Sequence, residues 1–136
     1  MQNNTQDTTL TNALEKFIDI TVESKFEAAQ SDSDAKRFVF SYQVTIKNSA
    51  DYNIQLLSRH WIVTDGNQKQ QEIQGEGVIG EQPTIAPHSS YQYNSGAVLE
   101  TDVGSMYGHY DMVTQEGSQF KAEIAAFTLA KPNALH

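Results

Sequence analysis

Phe38-Val39-Phe40-Ser41-Tyr42-Gln43-Val44-Thr45-Ile46-Lys47 is the stretch that decides the fold. Phe38, Phe40, Tyr42, Val44 and Ile46 fall on every second residue, with Ser41, Gln43, Thr45 and Lys47 between them. A period of two, carried by aromatic and β-branched side chains, marks a strand with one buried face. Val39 breaks the alternation, which predicts that this strand is partly buried on both faces. Upstream, Ile18, Ile20 and Val22 alternate with Asp19, Thr21 and Glu23, and the polar run Gln30-Ser31-Asp32-Ser33-Asp34 reads as a hairpin loop between the two strands. Downstream, Ile54 to Thr64 is strand-like and ends at Asp65-Gly66, a turn dipeptide, with a returning strand from Gln68 to about Gln74.

Three more strands follow: Ser90 to about Leu99, Tyr107 to Thr114, and Gln119 to Leu129, the last two separated by Glu116-Gly117. No segment has helical periodicity over a useful length. Many short strands with regular turn signals predict an all-β chain, an antiparallel β-sandwich of about seven strands. Trp61, the single tryptophan, is its expected core anchor. The length of 136 residues fits one domain. Residues 1–14, rich in Gln, Asn and Thr, read as a flexible N-terminal tail, residues 15–132 as the domain, and residues 133–136 as a C-terminal tail after Pro132.

Composition removes several function classes. Without cysteine there are no disulfides, no thiolate catalysis and no Cys-ligated zinc. No apolar run approaches the roughly 18 residues of a membrane-spanning helix. The start, MQNNTQDTT, is not a secretory signal, so the expected location is the cytoplasm. Seventeen acidic against nine basic residues give a formal charge of −8. No Lys or Arg lies between Lys69 and Lys121, a stretch that holds Glu72, Glu76, Glu81, Glu100, Asp102, Asp111 and Glu116. Nucleic-acid binding draws its affinity from cationic side chains, so nucleic acid is not an expected partner. An acidic surface of this kind suits a basic protein partner or hydrated cations.

Gly75-Glu76-Gly77-Val78-Ile79-Gly80 has the G-x-G-x-x-G spacing of a dinucleotide-binding loop. That loop needs a following helix, whose N-terminal N–H groups hold the pyrophosphate. Here Glu81-Gln82-Pro83-Thr84-Ile85-Ala86-Pro87 follows, and two prolines four residues apart do not begin a long helix. The glycines therefore read as a tight connection in a β-protein, with a backbone nest for phosphate as the alternative. No Lys is near the loop in sequence, and Glu76 and Glu81 would repel an anion. A phosphate ligand would need Mg²⁺ to bridge it to the carboxylates. His109 and Asp111 lie two apart on a predicted strand and share a face, which makes them a weak candidate metal pair, with His60 or Glu81 brought in by the fold. No G-x-S-x-G elbow or other catalytic constellation is present.

The residues from Gly75 to Pro83 resemble the signature of the ApaG family. The likeness extends upstream through Ser58-Arg59-His60-Trp61-Ile62-Val63-Thr64-Asp65-Gly66. Downstream it takes in Tyr93, Ser95-Gly96, Leu99, Thr101, Gly104, Met106, Gly108, Tyr110, Met112, Phe120, Phe127, Leu129 and Pro132. It spans roughly residues 17–135. The resemblance implies an immunoglobulin-like, fibronectin type III-like sandwich. It also implies an association with cobalt tolerance and magnesium efflux in bacteria, adaptor settings in eukaryotic proteins, and proposals of pyrophosphate binding at the glycine motif. His88 departs from the pattern, standing where the family usually has Gly. If that turn needs positive φ, His88 is strained.

Together these readings predict a non-catalytic protein-interaction module, linked only indirectly to divalent cations (Co²⁺/Mg²⁺). Its partner surface is the loop with Gly75, Glu76, Gly77, Gly80, Glu81 and Gln82, facing an unidentified basic protein. No cofactor is expected. The alternative is a nucleotide or pyrophosphate binder, or weak phosphohydrolase, using the same loop with Mg²⁺. Unpaired sandwich edges also offer a homodimer interface.

Overall fold

The computed structural model describes residues 13–134. It contains eight strands: β1 (Ile18–Phe26), β2 (Phe38–Asn48), β3 (Ile54–Asp65), β4 (Gln70–Glu76), β5 (Thr84–Ile85), β6 (Ser89–Leu99), β7 (Val103–Thr114) and β8 (Gln119–Ala130). They form two antiparallel sheets, one in the order β1-β2-β6 and the other β4-β3-β7-β8, with β5 added to the start of β3. Seven of the eight match the strands expected from periodicity. The eighth, β5, has two residues between Pro83 and Pro87, too few to show a period. The reading of residues 1–14 as a tail falls largely outside the described residues, but Leu14 is buried in the core from a helical turn at residues 13–15. Of the C-terminal tail, residues 135–136 lie outside them too.

The period-two pattern translates directly into the core. Phe40, Tyr42, Val44 and Ile46 of β2 face Trp61, Val63, Met106, Tyr110 and Met112 of the opposite sheet. Trp61 is the hub: its ring meets Tyr42 at 5.8 Å, Phe127 at 5.9 Å and Tyr110 at 6.2 Å, all edge-on. Such pairs add to the gain from area burial. Val39 is buried on the outer side of β2, beside the loop that joins β1 to β2. There Glu27 N–H donates to the Val39 carbonyl at 2.8 Å, and the Val39 N–H donates to Ser31 Oγ at 2.9 Å.

Two departures from regular pairing shape the molecule. Leu57 is an extra residue in β3, opposite no residue of β7. A second bulge sets Ala125 and Ala126 of β8 against Tyr107. Bulges re-aim the groups around them. The first frees the Leu57 carbonyl to accept from Gly77 N–H and from Gln82 Nε2, both at 2.8 Å. Asn48, fully buried, ties the proline segment to the end of β2. Its Nδ2 donates to the carbonyls of Tyr52 (2.9 Å), Ile85 (3.0 Å) and Ala86 (3.3 Å), and its Oδ1 accepts from Ala50 N–H at 2.9 Å. His88, at the next turn, has φ +57, the strained conformation expected where Gly is replaced. Its Nε2 lies 2.7 Å from Asp51 Oδ1.

The turn after β3 differs from a two-residue Asp-Gly hairpin. Asp65 N–H donates to the Lys69 carbonyl, Asp65 Oδ1 accepts from Asn67 and Lys69 N–H, and the positive φ falls on Gln68, not Gly66. This longer turn sets the register of β4, and with it the partners of the glycine motif.

Candidate functional site

The glycine motif begins on β4 and runs into a hairpin of its own. Val78 and Glu81 exchange both backbone bonds, at 2.8 and 2.9 Å, around a two-residue turn. The central residues, Ile79 (φ +43) and Gly80 (φ +80), both have positive φ. That is the signature of a type I′ turn. The motif is therefore a closed β-turn, with no helix after it. Two of its amides are bonded within the fold, Gly77 to Leu57 and Val78 to Glu81, and the Glu81 N–H just after it bonds back to Val78. A phosphate nest needs successive N–H groups free to converge on one anion.

Each residue of the motif has a local physical role. Gly77 has φ +64, and a Cβ there would overlap the Glu81 carbonyl. Gly75 lies opposite Arg59 on β3, and a Cβ on it would press against the guanidinium at 3.0 Å. Arg59 in turn donates to the carbonyls of Gly77 (2.8 Å) and Glu76 (3.3 Å). No Lys is near the loop in sequence, but a guanidinium reaches it from across the sheet. Glu81 Oε1 accepts from Tyr91 Oη at 2.9 Å, and partial burial, reinforced by the carboxylate, raises the Tyr91 pKa. Gln82 turns inward to the Leu57 carbonyl. Glu76 and Ile79 remain exposed.

The other candidates lie on the outer face of the larger sheet. Cross-strand rows place His60 against His109, and Ser58 against Asp111, which pairs onward with Lys121. The two imidazoles meet edge-on with centroids 5.0 Å apart. Their Nε2 atoms serve different carboxylates: His60 lies 2.5 Å from Glu72 Oε2, and His109 lies 3.7 Å from Asp111 Oδ1. Asp111 Oδ2 also accepts from Ser58 Oγ at 2.7 Å. Ser58, His60, His109 and Asp111 line an open hollow of about 590 Å³, which also contains Glu76 and Lys121. His109 and Asp111 do share a face, as their spacing requires. Among the described residues, however, no three His, Asp or Glu side chains are grouped to hold a metal ion.

Inside the sandwich, beneath Arg59, Tyr93 Oη and Tyr110 Oη are hydrogen-bonded to one another. Burial raises both pKa values above the ordinary phenol value, and also that of Tyr42. These phenols stay neutral at physiological pH and act as packing groups.

The sequence profile of the ApaG domain matches residues 28–114. The chain belongs to the ApaG family. It is 50% identical over 123 residues to the protein ApaG of Aromatoleum aromaticum, covering 90% of this chain and 97% of that one. It is 49% identical over 117 residues to the protein ApaG of Escherichia coli O1:K1, covering 86% and 94%. A solved ApaA protein from Bordetella pertussis superposes with a TM-score of 0.83 at 40% identity, over 86% of this chain and 95% of that one. The structural-genomics target SoR45 gives the same TM-score at 45% identity, over 88% and 91%. The ApaG domain of this chain is the immunoglobulin-like, fibronectin type III-like sandwich already described. No helix of the described residues is long and apolar enough to cross a membrane.

Proposed function

We propose that this ApaG-family protein is a non-catalytic interaction module of the cytoplasm, offering the 76–81 hairpin and the neighbouring acidic edge strand β4 to a basic protein. The observation that carries the reading is the closed state of the glycine motif. The amides of Gly77 and Val78 are bonded inside the fold, while Glu72, beside His60, and Glu76 are exposed on the free edge strand of the larger sheet. Edge strands and exposed hairpins are recurrent sites of protein recognition. Arg59, the one guanidinium beside the motif, is held by two backbone carbonyls. A link to cobalt or magnesium homeostasis then runs through the partner and not through an ion held here.

An amide NMR titration with ATP, GTP and pyrophosphate, each with and without Mg²⁺, tests this reading against the nucleotide one. The expected result is no saturable shift at Gly75, Gly77 or Gly80 at millimolar ligand. Saturable shifts centred on those residues would replace the interaction reading with phosphate binding.

A further inference from the structure

Ile79 combines two features that do not belong together. It is the most exposed large apolar side chain among the described residues, at 59%, ahead of Val98 at 48% and Tyr107 at 45%. It is also a β-branched residue at φ +43, at the first central position of a type I′ turn. That position is ordinarily taken by Asn, Asp or Gly, which tolerate positive φ. A β-branched residue there is a conformational outlier. Strain at a core residue is offset by burial, but Ile79 buries little within its own chain. The fold thus holds an apolar group in an unfavourable conformation, in water, with no return inside the molecule.

The turn that carries it is rigid. Val78, the residue before it, is fully buried in the core. Glu81, after it, is held by Tyr91, and the next residue, Gln82, by the Leu57 carbonyl. Arg59 holds the Gly77 carbonyl from below. A side chain fixed in advance loses little freedom on docking.

We propose that Ile79 is the anchor of the partner interface, inserting into an apolar socket of a second protein whose rim carries Lys or Arg side chains. The proposal rests on the interaction reading above. The chemistry of the rim follows from charge: Glu76 and Glu81 flank the tip, Glu72 follows along β4, and residues 70–120 contain no Lys or Arg. Anchors of this kind, seated in a desolvated pocket and ringed by weaker contacts, dominate binding at protein interfaces.

The test compares wild type, Ile79→Asn and Tyr107→Ser, where Tyr107 is an exposed apolar residue on the sheet face. Each is unfolded in urea, and each is immobilised and exposed to extract of the cells from which the chain derives. Retained proteins are quantified against bare beads. Asn suits the turn better than Ile, so the expected midpoint of Ile79→Asn is higher than that of wild type. The same variant should lose at least about tenfold (1.4 kcal/mol) of a protein that wild type and Tyr107→Ser both retain. An unraised midpoint overturns the proposal, because the strain it starts from is then absent. Undiminished retention by Ile79→Asn overturns the anchor and leaves the interaction reading standing. Loss from Tyr107→Ser alone moves the interface to the sheet face. Retention of nothing by wild type beyond bare beads overturns both.

Discussion

Replacing Gly77 and Gly80 by alanine, one at a time, separates a structural glycine motif from a ligand-binding one. Both glycines have positive φ, +64 and +80. A Cβ in left-handed backbone costs about 1–2 kcal/mol at either position. The surroundings differ. At Gly80 a Cβ meets nothing within 4 Å, so the conformational term is the whole cost. At Gly77 it overlaps the Glu81 carbonyl oxygen and stands 2.8 Å from the carbonyl carbon, so the hairpin must open. Opening disrupts the Gly77–Leu57 bond and the paired Val78–Glu81 bonds. At about 0.5–1.5 kcal/mol each, three such bonds add roughly 2–4 kcal/mol. Gly77→Ala should therefore destabilise by about 3–6 kcal/mol against about 1–2 for Gly80→Ala, a large share of the 5–15 typical of a domain. Urea unfolding followed by Trp61 fluorescence reads this as a midpoint shift at constant slope. Equal costs at the two positions would refute the closed-hairpin argument, because the loop would then relax freely around an added methyl group.

The buried phenols give a pH signature. Tyr42, Tyr93 and Tyr110 have raised pKa values through burial. The unfolded chain therefore loses their protons first, near pH 10. Stability is intact below about pH 10 and falls above it, by about 1.4 kcal/mol per pH unit for each phenol. Phenolate absorbance should show these three of the six tyrosines ionising only with unfolding; reversible ionisation of all six in the folded protein would contradict their burial. Arg59→Lys should cost about 1–3 kcal/mol, because an ammonium does not reproduce the flat guanidinium that lies against Gly75 while donating to Gly77. An unchanged urea midpoint for Arg59→Lys would show that the guanidinium does not hold the hairpin. Asn48→Leu keeps the branched outline of the side chain but leaves backbone carbonyls and the buried Ala50 N–H without partners, so a loss of about 3 kcal/mol or more is expected in the same assay. A loss below 1 kcal/mol would show that those groups find other partners.

The fold was legible because both sheets bury one face, so period two survives along β1, β2, β3, β7 and β8. What was not legible was register. A two-residue Asp65-Gly66 turn would pair Thr64 with Asn67. The longer turn pairs it with Gln70, a shift of three. An odd shift exchanges the faces of a strand. Only the observed register sets Arg59 against Gly75 and puts Glu72 and Gln74 on the face of His60. The Leu57 bulge was equally hidden, since Leu56-Leu57 reads as two apolar residues in either pairing, yet its carbonyl is what holds Gly77 and Gln82. The His60–His109 row needed long-range pairing between β3 and β7, which no local signal carries. Ile79 was visible as a residue but not as an outlier, because its strain exists only once the turn type is known.

The same glycine spacing can serve two opposite ends. Ahead of a helix, glycines leave a run of amides unbonded, and an anion completes them. Here Pro83 and Pro87 exclude the helix, the chain turns back on itself, and the Glu81 carbonyl takes the Val78 N–H. Closure of the hairpin takes the Val78 N–H out of any such site, since one amide cannot serve both. What closure leaves outward is a turn tip with carboxylates beside it and an isoleucine in left-handed backbone. A structural connection gains nothing from that isoleucine, because Asn or Gly would make the same turn at lower cost. On the proposed interaction reading, the function of the motif lies in what its tip touches, not in what its backbone cradles.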